Sequence, residues 1–232
     1  FGDGASNQGT FHEAINIAAV LDVPVLFLIE NNQWAYSTPN SYQFRCTDLS
    51  SRATGYGIPG SRIRGTDVVS VHEQVQEIVD QMREASQPYL LEVDSYRLGG
   101  HTAYDKAEYV PEEELSAWRR EDPLVVARNR ILESGFLDED ELSRHESSWE
   151  QEVADAANRA LEKPKIDPAG ISWEVYAEPA DPVELPPVDL QAVTPIAATN
   201  GALDLALEHD REVVLLGEDI GAFGGPFKAT KG

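Results

Sequence analysis

Positive charge is scarce in this chain. Lysine and arginine total 18 of 232 residues, against 41 aspartates and glutamates, for a formal net charge of −23. So acidic a surface repels phosphate backbones, which argues against a nucleic-acid partner. Much of the acid lies between positions 104 and 156, with 16 acidic and 6 basic residues, and is read as solvated helix faces. Long apolar runs are missing too. No stretch approaches the roughly 20 apolar residues a membrane-spanning helix needs, and no membrane role is expected. The one cysteine, Cys46, has no partner for an internal disulfide and fits a reducing compartment; it reads as a buried or idle thiol. No GxGxxG or Walker loop is present, since Gly4 and Gly9 are too widely spaced and no Gly-Lys-Ser/Thr occurs. His12-Glu13 is not HExxH, and His12, His72, His145 and His209 lack zinc-ligand spacing. Nor does the chain begin with Met. It opens one residue before a GDG turn and ends at Lys231-Gly232, so a piece of a longer polypeptide is expected, with the strand feeding that turn upstream.

What is present reads as strands alternating with helices. The length suits one full domain and part of another, and 41% apolar with 25% charged residues is ordinary for a globular chain. Helical spacing spans Phe11 to Leu21, with Asn7 or Thr10 as its cap. Pro24 leads into Val25 to Ile29, a continuous apolar strand of the parallel-sheet kind. A polar loop runs from Asn31 to Asn40. A short helix over 47–56, stopped at Gly57, a strand over 61–64, an amphipathic helix over 71–85 and a strand over 89–96 follow. This alternation predicts a doubly wound α/β layer with a parallel sheet and helices on both faces. After a Gly-rich loop over 98–111 come helices over 112–121, 123–133 and 138–162. Six prolines between 163 and 191 suggest a semi-rigid linker. A helix over 195–208 and an apolar strand over 212–216 then suggest the start of a second α/β domain. The expected division is 1–162, a linker over 163–192, and 193–232.

The strongest chemical signal is Gly2-Asp3-Gly4, followed after 26 residues by Asn31-Asn32. A strand–helix–strand unit brings both segments to the carboxyl ends of adjacent parallel strands, where α/β folds bind ligands. A carboxylate and an amide oxygen suit a magnesium–diphosphate pair. Glycines flanking Asp3 let backbone approach a phosphate, and a following helix N-terminus favours an anion. Taken singly, Asp3 is as readily a helix cap and Asn32 a turn residue; the pairing favours the ligand site.

The segment GDGASNQGTFHEA…ENNQWAYSTP resembles the thiamine-diphosphate motif, and more narrowly the α subunit of the E1 component of 2-oxo acid dehydrogenase complexes. The likeness continues through Tyr96-Arg97-Leu98-Gly99-Gly100-His101-Thr102, Tyr109-Val110-Pro111 and Trp118 to Leu124. From Asn200 to Leu203 and from Gly217 to Gly225 the chain resembles the start of the E1 β subunit, which suggests a fused single-chain E1. The resemblance implies thiamine diphosphate and Mg2+ as cofactors. It implies Asp3, the side chain of Asn32 and the main-chain carbonyl of Trp34 as metal ligands. Gly2, Gly4 and Ala5 would line the diphosphate, the latter two through backbone N–H groups. Tyr36 would stand near the thiamine ring and Arg97 would hold the loop of His101, the catalytic histidine. On composition alone His101 reads as a surface loop residue; the flanking glycines and the resemblance favour the catalytic role, and imidazole as a side-chain type suits proton delivery in this chemistry.

The implied activity is oxidative decarboxylation of a 2-oxo acid with acyl transfer to lipoamide on an E2 lipoyl acyltransferase. Branched-chain acids are favoured and pyruvate is second. Acetoin-cleaving and transketolase-like enzymes, a non-catalytic thiamine-diphosphate-binding or assembly module, and a generic nucleotide-binding domain are the rivals. A homodimer of fused chains is expected, in a bacterial cytoplasm or a mitochondrial matrix. The resemblance puts the glutamate that activates the cofactor beyond Gly232, which makes Glu218 a structural residue, and puts the acyl pocket upstream. Two departures stand out. Tyr36 stands where the family often has an aliphatic residue, and the loop from Thr102 to Val110 lacks the serine and arginine of the regulated eukaryotic form.

Overall fold

The computed structural model describes residues 1–165, 167–168, 193–217 and 219–231. Contacts divide the chain into two compact units, Phe1–Lys163 and Pro164–Gly232. In the first, α1 (Gly9–Val20) leads to β1 (Leu26–Asn31). Next come a minimal hairpin of β2 (Trp34–Ala35) and β3 (Thr38–Pro39), then α2 (Asn40–Gln43) and α3 (Ala53–Tyr56). Strands β4 (Gly60–Arg64) and β5 (Tyr89–Asp94) enclose α4 (Val68–Ala85) in sequence. Helices α5 (Glu112–Arg119), α6 (Pro123–Glu133) and α7 (Glu139–Glu162) complete the unit.

The fold is α/β, with a parallel sheet flanked by helices. Its order is β1-β5-β4, and β5 pairs in parallel with both neighbours. Phe1 and Gly2 extend it beyond β1: Gly2 bridges to Glu30 in parallel, and the Glu30 N–H donates to the Phe1 carbonyl at 2.8 Å. The GDG turn therefore leaves the sheet beside the carboxyl end of β1, which puts Asp3 and Asn32 in reach of each other.

Alternation along β5 builds two cores. Leu90 and Ile29 face Phe11 and Ile15 of α1 together with Leu49 and Ala53. Leu91, Tyr89 and Ile63 face Ile78 and Met82 of α4. Each fully buried aliphatic side chain contributes about 1.5–3 kcal/mol. Towards the carboxyl end β5 changes character, and Glu92 and Asp94 are buried where the pattern would otherwise place apolar residues.

Local signals set the ends of several helices. Asp67 caps α4 by accepting from the Val69 and Ser70 N–H groups, which starts this helix three residues before the apolar pattern does. Asp138 and Glu141 form a capping box on α7. Gly57 and Gly135 stop their helices in the left-handed region, at φ +72° and +69°. Elsewhere the expectations shift. Gln8, not Asn7 or Thr10, precedes α1, and it makes no side-chain cap. The 47–56 helix is a 3-10 turn (Leu49–Arg52) running into α3. The 89–96 strand ends at Asp94, where the backbone leaves the ladder to form the site.

In the second unit, α8 (Pro195–His209) is capped by Thr194. The apolar run over 212–216 is not a strand. Among the described residues it has no sheet neighbour, and Val214 and Leu216 are exposed; a strand forms only where another chain segment takes up its backbone groups. The expected linker at 163–192 and Glu218 lie largely or wholly outside the described residues. No described helix is long and apolar enough to cross a membrane.

Candidate functional site

Asp3 is the centre of the site. It is 1% exposed, in the turn between the edge of the sheet and a 3-10 turn over Gly4–Asn7. Burial pushes its carboxyl pKa up. Against this work a hydrogen bond from Gln43 Nε2 to Oδ2 at 2.6 Å, the backbone N–H groups of Asp3 and Asn32, and the field of Arg97. Asp3 makes no ion pair among the described residues. A buried carboxylate kept by hydrogen bonds and one distant cation is suited to receiving a mobile cation.

The paired asparagines divide their work. Asn31 is buried and structural: its Nδ2 donates to Glu92 Oε1 at 2.7 Å, and its Oδ1 accepts from Asn40 Nδ2 at 2.7 Å and from the Gln33 N–H at 3.2 Å. Asn32 is half-buried, and its Oδ1 accepts from the Trp34 N–H at 3.1 Å, bending the chain back across Asp3. Gln33 and Tyr36 take positive φ to complete that bend, at +73° and +53°. Gly4 is required by the close approach that results, because a Cβ there would stand 2.7 Å from the Ala35 Cβ.

Arg97 ties this loop to the loop of His101. Its guanidinium donates to the carbonyls of Trp34 (3.4 Å) and Tyr36 (2.8 Å), to the Tyr109 hydroxyl (2.7 Å) and to the Gly99 carbonyl (3.3 Å). The Tyr109 hydroxyl in turn donates to Asp105 Oδ2 at 2.7 Å, and the same oxygen accepts the His101 backbone N–H at 2.8 Å. These donors, Tyr109 first, hold the Asp105 carboxyl below its ordinary pKa. The His101 main chain is thus anchored while its exposed ring is left to stand edge-on to Tyr36, centroids 4.9 Å apart. Gly100 allows the turn, because a Cβ there would collide with the Asp105 backbone.

Beneath the hairpin, Trp34 is buried and donates from its indole to the Tyr96 hydroxyl at 3.1 Å. Tyr96 stacks on Trp118, and the Arg64 guanidinium lies 3.7 Å from the Trp118 ring centroid. Arg64 also pairs with Asp94 and Glu121. Trp118 and Glu121 of the 118–124 motif therefore brace the site through Tyr96 and Arg64.

All nine residues expected at the site lie around this one turn and its two loops. Asp3, Asn32, Trp34 and Arg97 converge, Gly2, Gly4 and Ala5 form the turn, and Tyr36 meets His101. The Ala5 N–H donates to the Gly2 carbonyl at 3.1 Å within the turn, so an anion would share it. The available donors are oxygens: the Asp3 carboxylate, Asn32 Oδ1 and the Trp34 carbonyl. Among the described residues no cluster of three His, Cys, Asp or Glu side chains could hold a metal. An oxygen-only set with a single carboxylate fits a hard cation that draws further ligands from a phosphate or water. The residues present fit the expected group in a second way, through the buried Gln43 Oε1, which has no hydrogen-bond partner among the described residues.

Three contributors escaped the sequence reading. Gln43 and Glu92 sit 40 and 61 positions from Asp3 and Asn31, the residues they hold, with no local pattern to mark them. Asp105 lies in the loop that carries His101, where the Asp-x-x-x-Tyr spacing to Tyr109 is the available signal.

A parallel α/β sheet with an oxygen-rich turn at the carboxyl ends of its strands is the place where α/β folds take up ligands. The chain is more narrowly placed by comparison: residues 1–169 match the family described as the dehydrogenase E1 component, and the chain belongs to that family. It is 38% identical over 168 residues to the pyruvate dehydrogenase E1 component subunit alpha of Rhizobium meliloti, covering 72% of this chain and 48% of that one. To the 2-oxoisovalerate dehydrogenase subunit alpha of Bacillus subtilis it is 38% identical over 179 residues, covering 77% and 54%. The human mitochondrial 2-oxoisovalerate dehydrogenase subunit alpha is 34% identical over 180 residues, covering 77% and 40%. The chain spans about half the length of the curated relatives it matches.

Proposed function

We propose that the protein is the E1 component of a 2-oxo acid dehydrogenase complex, decarboxylating a 2-oxo acid and passing the acyl group to lipoamide on an E2 partner. The observation that carries this reading is the meeting of Asp3 and Asn32 at one sheet edge in a chain of the E1 family. Thiamine diphosphate, when bound, supplies the carbanion chemistry that cleaves the bond to the carboxylate. Asp3, Asn32 Oδ1 and the Trp34 carbonyl would hold Mg2+, and Gly2, Gly4 and Ala5 the diphosphate. Arg97 positions both loops without entering the reaction. His101, anchored by its main chain and free at its ring, accepts or donates a proton at an imidazole nitrogen near the reacting centre. The Tyr36 ring limits where that imidazole can stand.

Branched-chain 2-oxo acids are the first substrate class and pyruvate the second; relatives of both names are equally similar at 38% identity. Residues 193–232 are assigned as the start of a β-type domain, which makes the full protein a fused αβ chain acting as a homodimer. A bacterial cytoplasm or a mitochondrial matrix is the proposed setting.

The test uses the full-length gene product with thiamine diphosphate and Mg2+, following reduction of an artificial electron acceptor by a panel of 2-oxo acids. Turnover that is lost in Asp3→Ala supports the assignment, and the best acid names the substrate. Confirmed cofactor binding without turnover on any acid would overturn it.

A further inference from the structure

Gln43 enters the site 40 positions after Asp3, at the end of α2. Its Nε2 donates to Asp3 Oδ2 at 2.6 Å and lies 2.9 Å from the Thr38 carbonyl and 3.3 Å from Asn40 Oδ1. Its Oε1 is buried without a hydrogen-bond partner among the described residues. That oxygen faces the GDG turn, 3.6 Å from where a Cβ on Gly4 would stand. Turning the amide over would not remove the anomaly. It would set the amide oxygen against Asp3 Oδ2 and the Thr38 carbonyl, acceptor against acceptor. The vacancy therefore belongs to the oxygen. Buried polar atoms are nearly always paired, and an exception at a ligand site calls for a donor that arrives with the ligand.

We propose that Gln43 is a positioning residue of the cation site: Nε2 holds the Asp3 carboxylate, and Oε1 accepts a hydrogen bond from a cation-bound water. The proposal rests on the reading that Asp3 binds a divalent cation. A cation that keeps part of its water shell presents donors to its surroundings and needs acceptors there. Beside Asp3, Gln43 Oε1 is a buried acceptor with no partner among the described residues. The competing role is a clip within the β2–β3 hairpin, through Thr38 and Asn40. That role affects stability and leaves cation affinity unchanged.

The experiment measures Mn2+ binding by electron paramagnetic resonance on the full-length protein with thiamine diphosphate, beside thermal unfolding of the cation-free protein. Gln43→Met, which keeps length and volume, is expected to weaken Mn2+ on the order of tenfold, as loss of a charge-assisted hydrogen bond should. Its cation-free unfolding should fall only by what the lost Nε2 bonds to Asp3, Thr38 and Asn40 contribute. Affinity within about threefold of wild type overturns the proposal, whatever the stability. If affinity and stability both fall, Asn40→Ala decides, since it loosens the hairpin without touching Asp3: wild-type-like affinity supports the proposal and an equal loss overturns it. If wild type binds no Mn2+ in a cofactor-dependent way, or Asp3→Ala binds as well as wild type, the cation-site reading itself fails. Loss confined to Asp3→Ala, with Gln43→Met unaffected, keeps that reading and removes Gln43 alone.

Discussion

Arg97 Nη2 donates at once to the Tyr36 main-chain carbonyl at 2.8 Å and to the Tyr109 hydroxyl at 2.7 Å. One guanidinium thus fixes the hairpin that follows β1 to the loop that carries His101. Through three nitrogens the planar fork reaches four acceptors on the two loops, a spread that the compact ammonium of lysine does not cover.

Arg97→Lys should therefore release both loops while keeping the charge. Each hydrogen bond to a charged group is worth about 1.5–3 kcal/mol, so turnover of the full-length protein should fall on the order of tenfold or more. Residues 98–110 should become sensitive to limited proteolysis. An unchanged digestion pattern would show that the loop is held by something else.

Tyr109→Phe removes the first of the donors that lower the Asp105 pKa. A depressed carboxyl pKa contributes order above the unfolded value and loses it as pH falls through the folded one. The loop should accordingly stay ordered at neutral pH and loosen only under acid, below the ordinary aspartate range. In Tyr109→Phe the loosening should move to higher pH. Hydrogen exchange across residues 98–110 as a function of pH measures it, and coincident profiles for the two proteins would refute it.

For Asp3 the sign is opposite. Burial raises its pKa, so the folded state holds the proton more tightly and stability declines as pH rises from the unfolded value through the folded one. Asp3→Asn should raise the thermal midpoint of the cofactor-free protein at pH 7 while weakening cation binding severely. The stability gain should shrink towards pH 3, where both states are protonated. A variant less stable than wild type at pH 7 would mean that the carboxylate's hydrogen bonds outweigh its burial.

Glu92 is fully buried, accepting from Asn31 Nδ2 at 2.7 Å and from the Ser50 N–H at 3.0 Å. Glu92→Leu leaves both donors unpaired, at about 1–3 kcal/mol each, and should lower the thermal midpoint by several degrees. Glu92→Gln, which can still accept one of them, should fall between. Chemical denaturation would decide, and equal stability of all three would show that Asn31 is held by Asn40 and Gln33 alone.

Elements built on local pattern were readable in the sequence. The apolar run of β1, the 3.6-residue spacing of α1 and α4, and the stops at Gly57 and Gly135 depend on neighbours a few positions away. Asp3, Asn32 and His101 were legible because glycine or paired asparagine marks them. Glu92 was not, since a buried carboxylate inside an apolar strand is intelligible only once Asn31 and Ser50 are seen across the sheet.

By itself the sequence determined the alternation of strands and helices, the acidic surface, and the residue types gathered at the GDG turn and the paired asparagines. These follow from short-range periodicity and from the chemistry of single side chains. Only the tertiary structure decided which asparagine is structural, that Arg97 spans two loops, that Asp105 anchors the His101 backbone and leaves its ring exposed, and that residues 212–216 have no strand partner among the described residues. Each of these depends on hydrogen-bond partners remote along the chain, and burial and pairing across a fold have no signature in local spacing.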